Sequence, residues 1–161
     1  MHKIRKTDLF ISIAIAELVG LLSGFFAGNS SAVYQSLNQP PLSPPGWVFP
    51  VVWTALYACM GTAAYFIYRQ GEEKAAPFVQ VRRALILYAV QLAVNFLWSI
   101  VFFGMRQYGW AIAVIVILDL LVIATLLCFA HISQAAAWLM LPYLVWILFA
   151  TYLNVGVYLL N

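Results

Sequence analysis

Charge is what this chain lacks. Its 161 residues hold eight Lys and Arg, five Asp and Glu, and two His. A water-soluble domain of this length needs far more polar surface than those groups supply, so a soluble globular fold is excluded. Cysteine is scarce too. Cys59 and Cys128 each sit inside an apolar run with no ligand-like neighbour, which argues against a disulfide framework and a zinc site, and no metal is expected. The chain also lacks a glycine-rich phosphate loop and a nucleophile paired with a base, so conventional catalysis is not expected. The net charge of +3 comes mainly from residues at the ends of apolar segments. Charge placed there serves topology, and no nucleic-acid partner is expected.

What is present is apolar length. Hydrophobic residues make up 65% of the chain, the composition of an all-α integral membrane protein with lipid as its main solvent. Five runs approach the roughly 20 residues that cross a hydrocarbon core. They predict transmembrane helices at about 8–27, 44–68, 84–103, 110–131 and 135–160, in one domain spanning 1–161. The basic start Lys3, Arg5, Lys6 also suits a signal peptide, but the run behind it is long, holds Glu17 and lacks a small-residue cleavage site. Residues 28–43 read as one long loop, because the stretch Asn38-Gln39-Pro40-Pro41-Leu42-Ser43-Pro44-Pro45 is incompatible with an embedded helix. Ser43 is the expected cap of the second helix, with Pro44 at its first position. The charged stretch from Arg69 to Arg83 reads as the second loop. Ser133 is the expected cap of the last helix, which Pro142 should kink.

With five crossings, Lys3, Arg5, Lys6, Arg69, Lys74, Arg82 and Arg83 fall on the side of the N-terminus and only Arg106 on the other. If the membrane is a bacterial inner one, the positive-inside rule then puts the N-terminus in the cytoplasm. Glu17 and Asp119 lie near the middle of the first and fourth helices, where an acidic side chain costs about 2.5–3.5 kcal/mol on the insertion scale. Each is read either as a relay or counter-charge for a ligand, or as a protonated carboxyl bonded to a neighbouring helix. Gly20, Gly24 and Gly28, four apart, form a small-residue stripe suited to close helix approach, and Ala89 and Ala93 offer a second such face. A homodimer is the expected assembly.

Aromatic residues carry more information. Trp47, Trp110 and Trp138 lie near helix ends, where an interfacial belt is expected. Trp53, Trp98 and Trp146 lie deeper. Gln91, Asn95 and Trp98 share one helix face, as do Tyr143, Trp146, Ala150 and Leu153 on the last helix, and Trp53 with Tyr57 on the second. These faces either converge on a pocket walled by indole and phenol rings, with Asn95 as an orienting donor, or pack as an ordinary aromatic core.

The stretch Gln39 to Tyr57, QPPLSPPGWVFPVVWTALY, resembles the first loop and second helix of the translocator protein family, also called tryptophan-rich sensory proteins. The blocks QLAVNFLWSIVFFG, from Gln91 to Gly104, and LPYLVWILFATYLN, from Leu141 to Asn154, agree with it. The resemblance spans nearly the whole chain. It implies a five-helix bundle, usually dimeric, that binds porphyrin or haem-related tetrapyrroles as ligands rather than as required cofactors, and in some members sterols or benzodiazepine-type compounds. It places the ligand pocket at Trp53, Asn95, Trp98, Trp110, Tyr143, Trp146, Ala150 and Leu153, to which the helix-face reading adds Tyr57. It also moves Trp110 from interface anchor to pocket wall.

Two departures limit what carries over. Leu42 stands where the family pattern has a tryptophan, and no Lys or Arg follows Tyr158, so the proposed sterol motif is not supported. Three functions remain open. One is a binding or transport protein for a tetrapyrrole, with a role in tetrapyrrole handling or stress signalling. Another is light-dependent protoporphyrin degradation with Trp53 and Trp146 as candidate catalytic groups. The third is an adaptor for other membrane proteins.

Overall fold

The computed structural model describes residues 5–161. Lys3, part of the basic N-terminal cluster, lies outside them. Among the described residues, five helices are long and apolar enough to cross a membrane, and no strand occurs. In chain order, α1 is Lys6–Ala27, α2 Ser30–Ser36, α3 Val48–Glu72, α4 Phe78–Ser99, α5 Tyr108–Ile132 and α6 Gln134–Leu160. All but α2 are membrane-spanning in length. This is an integral, multi-pass membrane protein.

The apolar cores of the expected helices are present, and their ends differ for physical reasons. The supposed loop at residues 28–43 contains α2, begun by the Asn29 side chain, which accepts from the Ala32 N–H at 3.2 Å. The next helix does not start at Pro44. Ser43 instead turns back on its own loop, its hydroxyl donating to the Pro40 carbonyl at 2.7 Å, and α3 begins at Val48. Pro50 then falls in the first turn, where its missing N–H removes no helical hydrogen bond. The stretch from Arg69 to Arg83 is mostly helical. α3 runs on to Glu72 and α4 begins at Phe78, directly after Pro77, because a helix needs an apolar surface only where lipid surrounds it. At the far end of α4 the chain widens into one π turn, Ile100–Gly104, where the Met105 N–H donates to the Ile100 carbonyl at 2.8 Å. Ser133 caps α6 as expected, accepting from the Ala136 N–H at 3.4 Å, and Pro142 is carried within the helix.

The spanning helices pack in the ring order α1, α3, α6, α5, α4, with α4 closing back on α1. The α1–α3 seam is drawn tight by Gly61. A Cβ there would stand 2.6 Å from the Ile13 Cα, and the Ser12 hydroxyl donates to the Gly61 carbonyl at 2.7 Å. One end of the seam is latched by Arg5, which pairs with Asp8 at 3.0 Å and reaches Glu72 at 3.7 Å. At the opposite end α2 lies across the bundle, and the loop behind it is tied to the end of α6. The Asn38 backbone carbonyl accepts from the Asn161 side-chain amide, and the Asn38 backbone N–H donates to Asn161 Oδ1, both at 2.9 Å. α1 is the least enclosed of the spanning helices, with 11% of its most apolar window buried.

Candidate functional site

The deep aromatic and polar faces of α3, α4 and α6 do converge, and they fill one another. Tyr57 donates its hydroxyl to Asn95 Oδ1 at 2.7 Å, and Asn95 Nδ2 donates to the Tyr143 hydroxyl at 3.1 Å. Asn95 is 1% exposed and Tyr143 is fully buried, so this three-helix bridge closes the centre of the bundle. A second bridge lies closer to α2. The Trp98 indole N–H donates to Asn154 Oδ1 at 3.1 Å, and Asn154 Nδ2 donates to the Tyr108 carbonyl at 3.1 Å. Gln91, on the same α4 face, is also fully buried, its amide directed at the Met60 sulfur at 3.8 Å.

The open volume lies to one side of these bridges, toward α1. A cavity of about 820 Å³ runs between the second half of α1, α2, the first half of α3 and the end of α4. Its wall holds Trp53 and Tyr57 from α3 and Trp98 from α4, with Phe49, Pro50 and Phe103 adding apolar surface. Polar groups enter from α1 and α2: Glu17, Ser23, Ser30, Ser31 and Gln35. Gly20 and Gly24 shape the α1 wall in opposite ways. A Cβ at Gly20 would lie 2.3 Å from the Tyr57 ring, so that glycine admits an aromatic side chain. A Cβ at Gly24 meets nothing within 4 Å and projects into free space. Tyr34 roofs the cavity from α2, its hydroxyl donating to the Pro44 carbonyl at 3.1 Å. Burial pushes the Tyr34 phenol above its ordinary pKa and the nearby Ser43 hydroxyl opposes the shift. Tyr34 is therefore a neutral donor at physiological pH.

Of the nine residues expected around a ligand, Trp53, Tyr57 and Trp98 line this cavity. Asn95 and Tyr143 stand behind Tyr57 in the hydrogen-bonded bridge. Trp146 stands behind Phe49, with ring centroids 5.9 Å apart, and its buried indole N–H has no partner among the described residues. Ala150 and Leu153 are buried in the α6 packing face, outside the cavity wall. Trp110 is not part of this cavity wall and is 72% exposed, as Trp138 is at 68%. The α1 wall was missed because Gly20 and Gly24 read as a packing stripe. The signal was Glu17, Gly20, Gly24 and Ala27 at helical spacing, a polar residue heading a row with little side-chain volume.

The TspO/MBR family profile matches residues 12–160, which takes in the cavity and all of the bundle except the start of α1. The chain belongs to the TspO/MBR family. Among its relatives, a tryptophan-rich protein TspO of Chlorobaculum tepidum is 38% identical over 156 residues, covering 92% of this chain and 96% of the relative. A tryptophan-rich sensory protein of Cereibacter sphaeroides is 41% identical over 128 residues, covering 80% and 76%. The human translocator protein is 36% identical over 150 residues, covering 89% and 85%. Membership in this family supports a membrane receptor- or transporter-like role.

Among the described residues no group of three or more His, Cys, Asp or Glu is placed to hold a metal ion. Asp119 bonds across to α6, while its buried Oδ1 has no partner among the described residues. It is 8% exposed and its Oδ2 accepts from the Thr151 hydroxyl on α6 at 2.8 Å, a carboxyl bonded to the neighbouring helix.

Proposed function

We propose that this TspO/MBR protein binds a flat, largely apolar tetrapyrrole, a porphyrin or haem-related ring, in the cavity beneath α2 and acts in its sensing or transfer. The observation that carries the reading is the cavity itself. About 820 Å³ of open volume within a membrane bundle, walled by Trp53, Tyr57, Trp98 and Phe49, offers π faces to a ring system and few polar groups to orient it. The ring is a ligand here and no resident cofactor is required. The charge distribution further favours a cytoplasmic N-terminus, which puts α2 and the cavity mouth on the opposite face. Ala89 and Ala93, both exposed on α4, are available to a second copy in a homodimer.

Titration of the purified protein with protoporphyrin in the dark, followed by tryptophan fluorescence, tests the reading. Saturable quenching is expected, weakened about tenfold or more by Trp53→Ala, the loss of roughly 1.4 kcal/mol. Quenching that never saturates, or that is identical in the variant, describes a ring dissolved in detergent and overturns it. A degradative reading draws on Trp53, whose indole lies in the wall against any bound ring. It predicts bleaching of the bound porphyrin under illumination, lost in Trp53→Phe, whereas a binding protein keeps a stable spectrum.

A further inference from the structure

We propose that Glu17 is the ligand-orienting group of the cavity, and that the site therefore selects rings presenting an ammonium or N–H donor at its deep end over rings presenting a carboxylate there. The inference rests on the reading of the cavity as a ligand site and specifies the chemistry of what enters it.

Glu17 sits at the middle of α1, eleven residues beyond Lys6 in a helix of 22. Glu17 is half-buried, and at that depth a carboxyl is retained at a cost unless a partner is supplied. Its neighbours do not supply one. Glu17 makes no hydrogen bond or ion pair among the described residues, while it lines the cavity. The nearest phenol in the wall, Tyr57, spends its hydroxyl hydrogen on Asn95, and the Trp98 indole spends its own on Asn154. The described wall contains no Lys, Arg or His, so nothing there neutralises the carboxyl. Asp119, the other acidic residue at this depth, is different, for it has Thr151.

The cavity is thus polarised along its length. Glu17 marks the deep end, and Ser30, Ser31 and Gln35 of α2 bring hydroxyl and amide donors to the mouth, about 15 Å away by the rise along α1. A donor on the ligand pairs with Glu17 in a low-dielectric site where the attraction is strong. Acidic substituents are directed toward the α2 donors and water. A carboxylate driven inward meets a like group with no cation to bridge them.

The test uses two porphyrins with the same macrocycle, one with carboxylate arms and one with arms ending in ammonium groups, titrated in neutral detergent against the full chain and Glu17→Gln. The wild type is expected to bind the ammonium-armed ring about tenfold or more tightly than the carboxylate-armed one. Glu17→Gln, nearly isosteric, is expected to erase that preference while keeping the melting temperature at or above that of the parent. A preference that persists in Glu17→Gln, or a wild type that favours the carboxylate-armed ring, overturns the proposal. A second measurement needs no variant. A two-ring aromatic amine should displace bound porphyrin from the wild type and the matching aromatic carboxylate should not; equal displacement by both also overturns it. Trp53→Ala separates the two levels of inference. If it weakens both porphyrins while Glu17→Gln leaves the preference intact, the cavity binds rings and only the role of Glu17 fails. If Trp53→Ala affects neither, the rings bind elsewhere and both readings fall.

Discussion

Gly24 and Thr151 test the two sides of the site at single side chains. Because a Cβ at Gly24 meets open space, Gly24→Leu should fill part of the cavity with little strain, and replacing this glycine in the last turn of α1 adds less than about 1 kcal/mol of helix propensity. The expected outcome is a melting temperature equal to or above the parent together with loss of saturable porphyrin quenching. Thr151 is the converse. Thr151→Val keeps the shape but leaves Asp119 without its hydrogen-bond partner at a largely buried position, a loss of about 1–3 kcal/mol. Thermal unfolding in detergent should show that loss, and Asp119→Leu in the same background should recover part of it, because removing both partners removes the unmet polar group. An unchanged melting temperature in Thr151→Val would mean that Asp119 is solvated by another route.

Individual elements have separable duties. The α1–α3 seam depends on Gly61, where an added methyl group strikes backbone rather than a yielding side chain. Gly61→Ala should therefore destabilise the bundle by about 1–3 kcal/mol, the usual range for overpacking, and push α1 outward. α2 acts at the mouth. It is held over the cavity through the loop that follows, by Asn38 and Asn161 and by Pro40 packed on Gly156, where a Cβ would stand 2.5 Å from the Pro40 ring. Asn38→Ala removes a side-chain bond to the Leu160 carbonyl, made at 3.2 Å. It should speed ligand exchange in stopped-flow quenching while leaving bundle melting nearly unchanged, since that bond lies outside the spanning core. The element boundaries were only partly legible. Asn29 is a good helix cap, but the Pro-rich segment after it dominated the reading of the whole stretch as loop, and α2 has just seven residues. The charged ends of α3 and α4 read as loop because charge argues against lipid, although it does not argue against helix.

At the level of the whole molecule, topology follows from charge placed outside the apolar runs. With Cys59 and Cys128 replaced by Ala, single cysteines at Ser36 and at Lys74 should be labelled by a membrane-impermeant maleimide from opposite sides, Lys74 from the cytoplasmic one. Labelling of both from one face would contradict five crossings.

Composition and the length of the apolar runs were enough to establish an all-α membrane bundle of five spanning helices. Transfer into lipid is close to a local sum over each segment, so it is readable without knowing what the segment touches. The buried faces of α4 and α6 were readable for a similar reason, since helical spacing alone places Gln91, Asn95 and Trp98 together. Where the bundle is solid and where it is hollow was decided by tertiary structure. Trp53, Tyr57 and Trp98 reach the cavity while Ala150 and Leu153 pack outside its wall, and Trp110 faces outward. The glycine stripe of α1 encloses both a filled notch at Gly20 and an empty one at Gly24, two sites alike in sequence and opposite in structure. A missing side chain is a local fact, but whether a neighbour occupies the space depends on how helices distant in the chain interlock, to within the size of one methyl group.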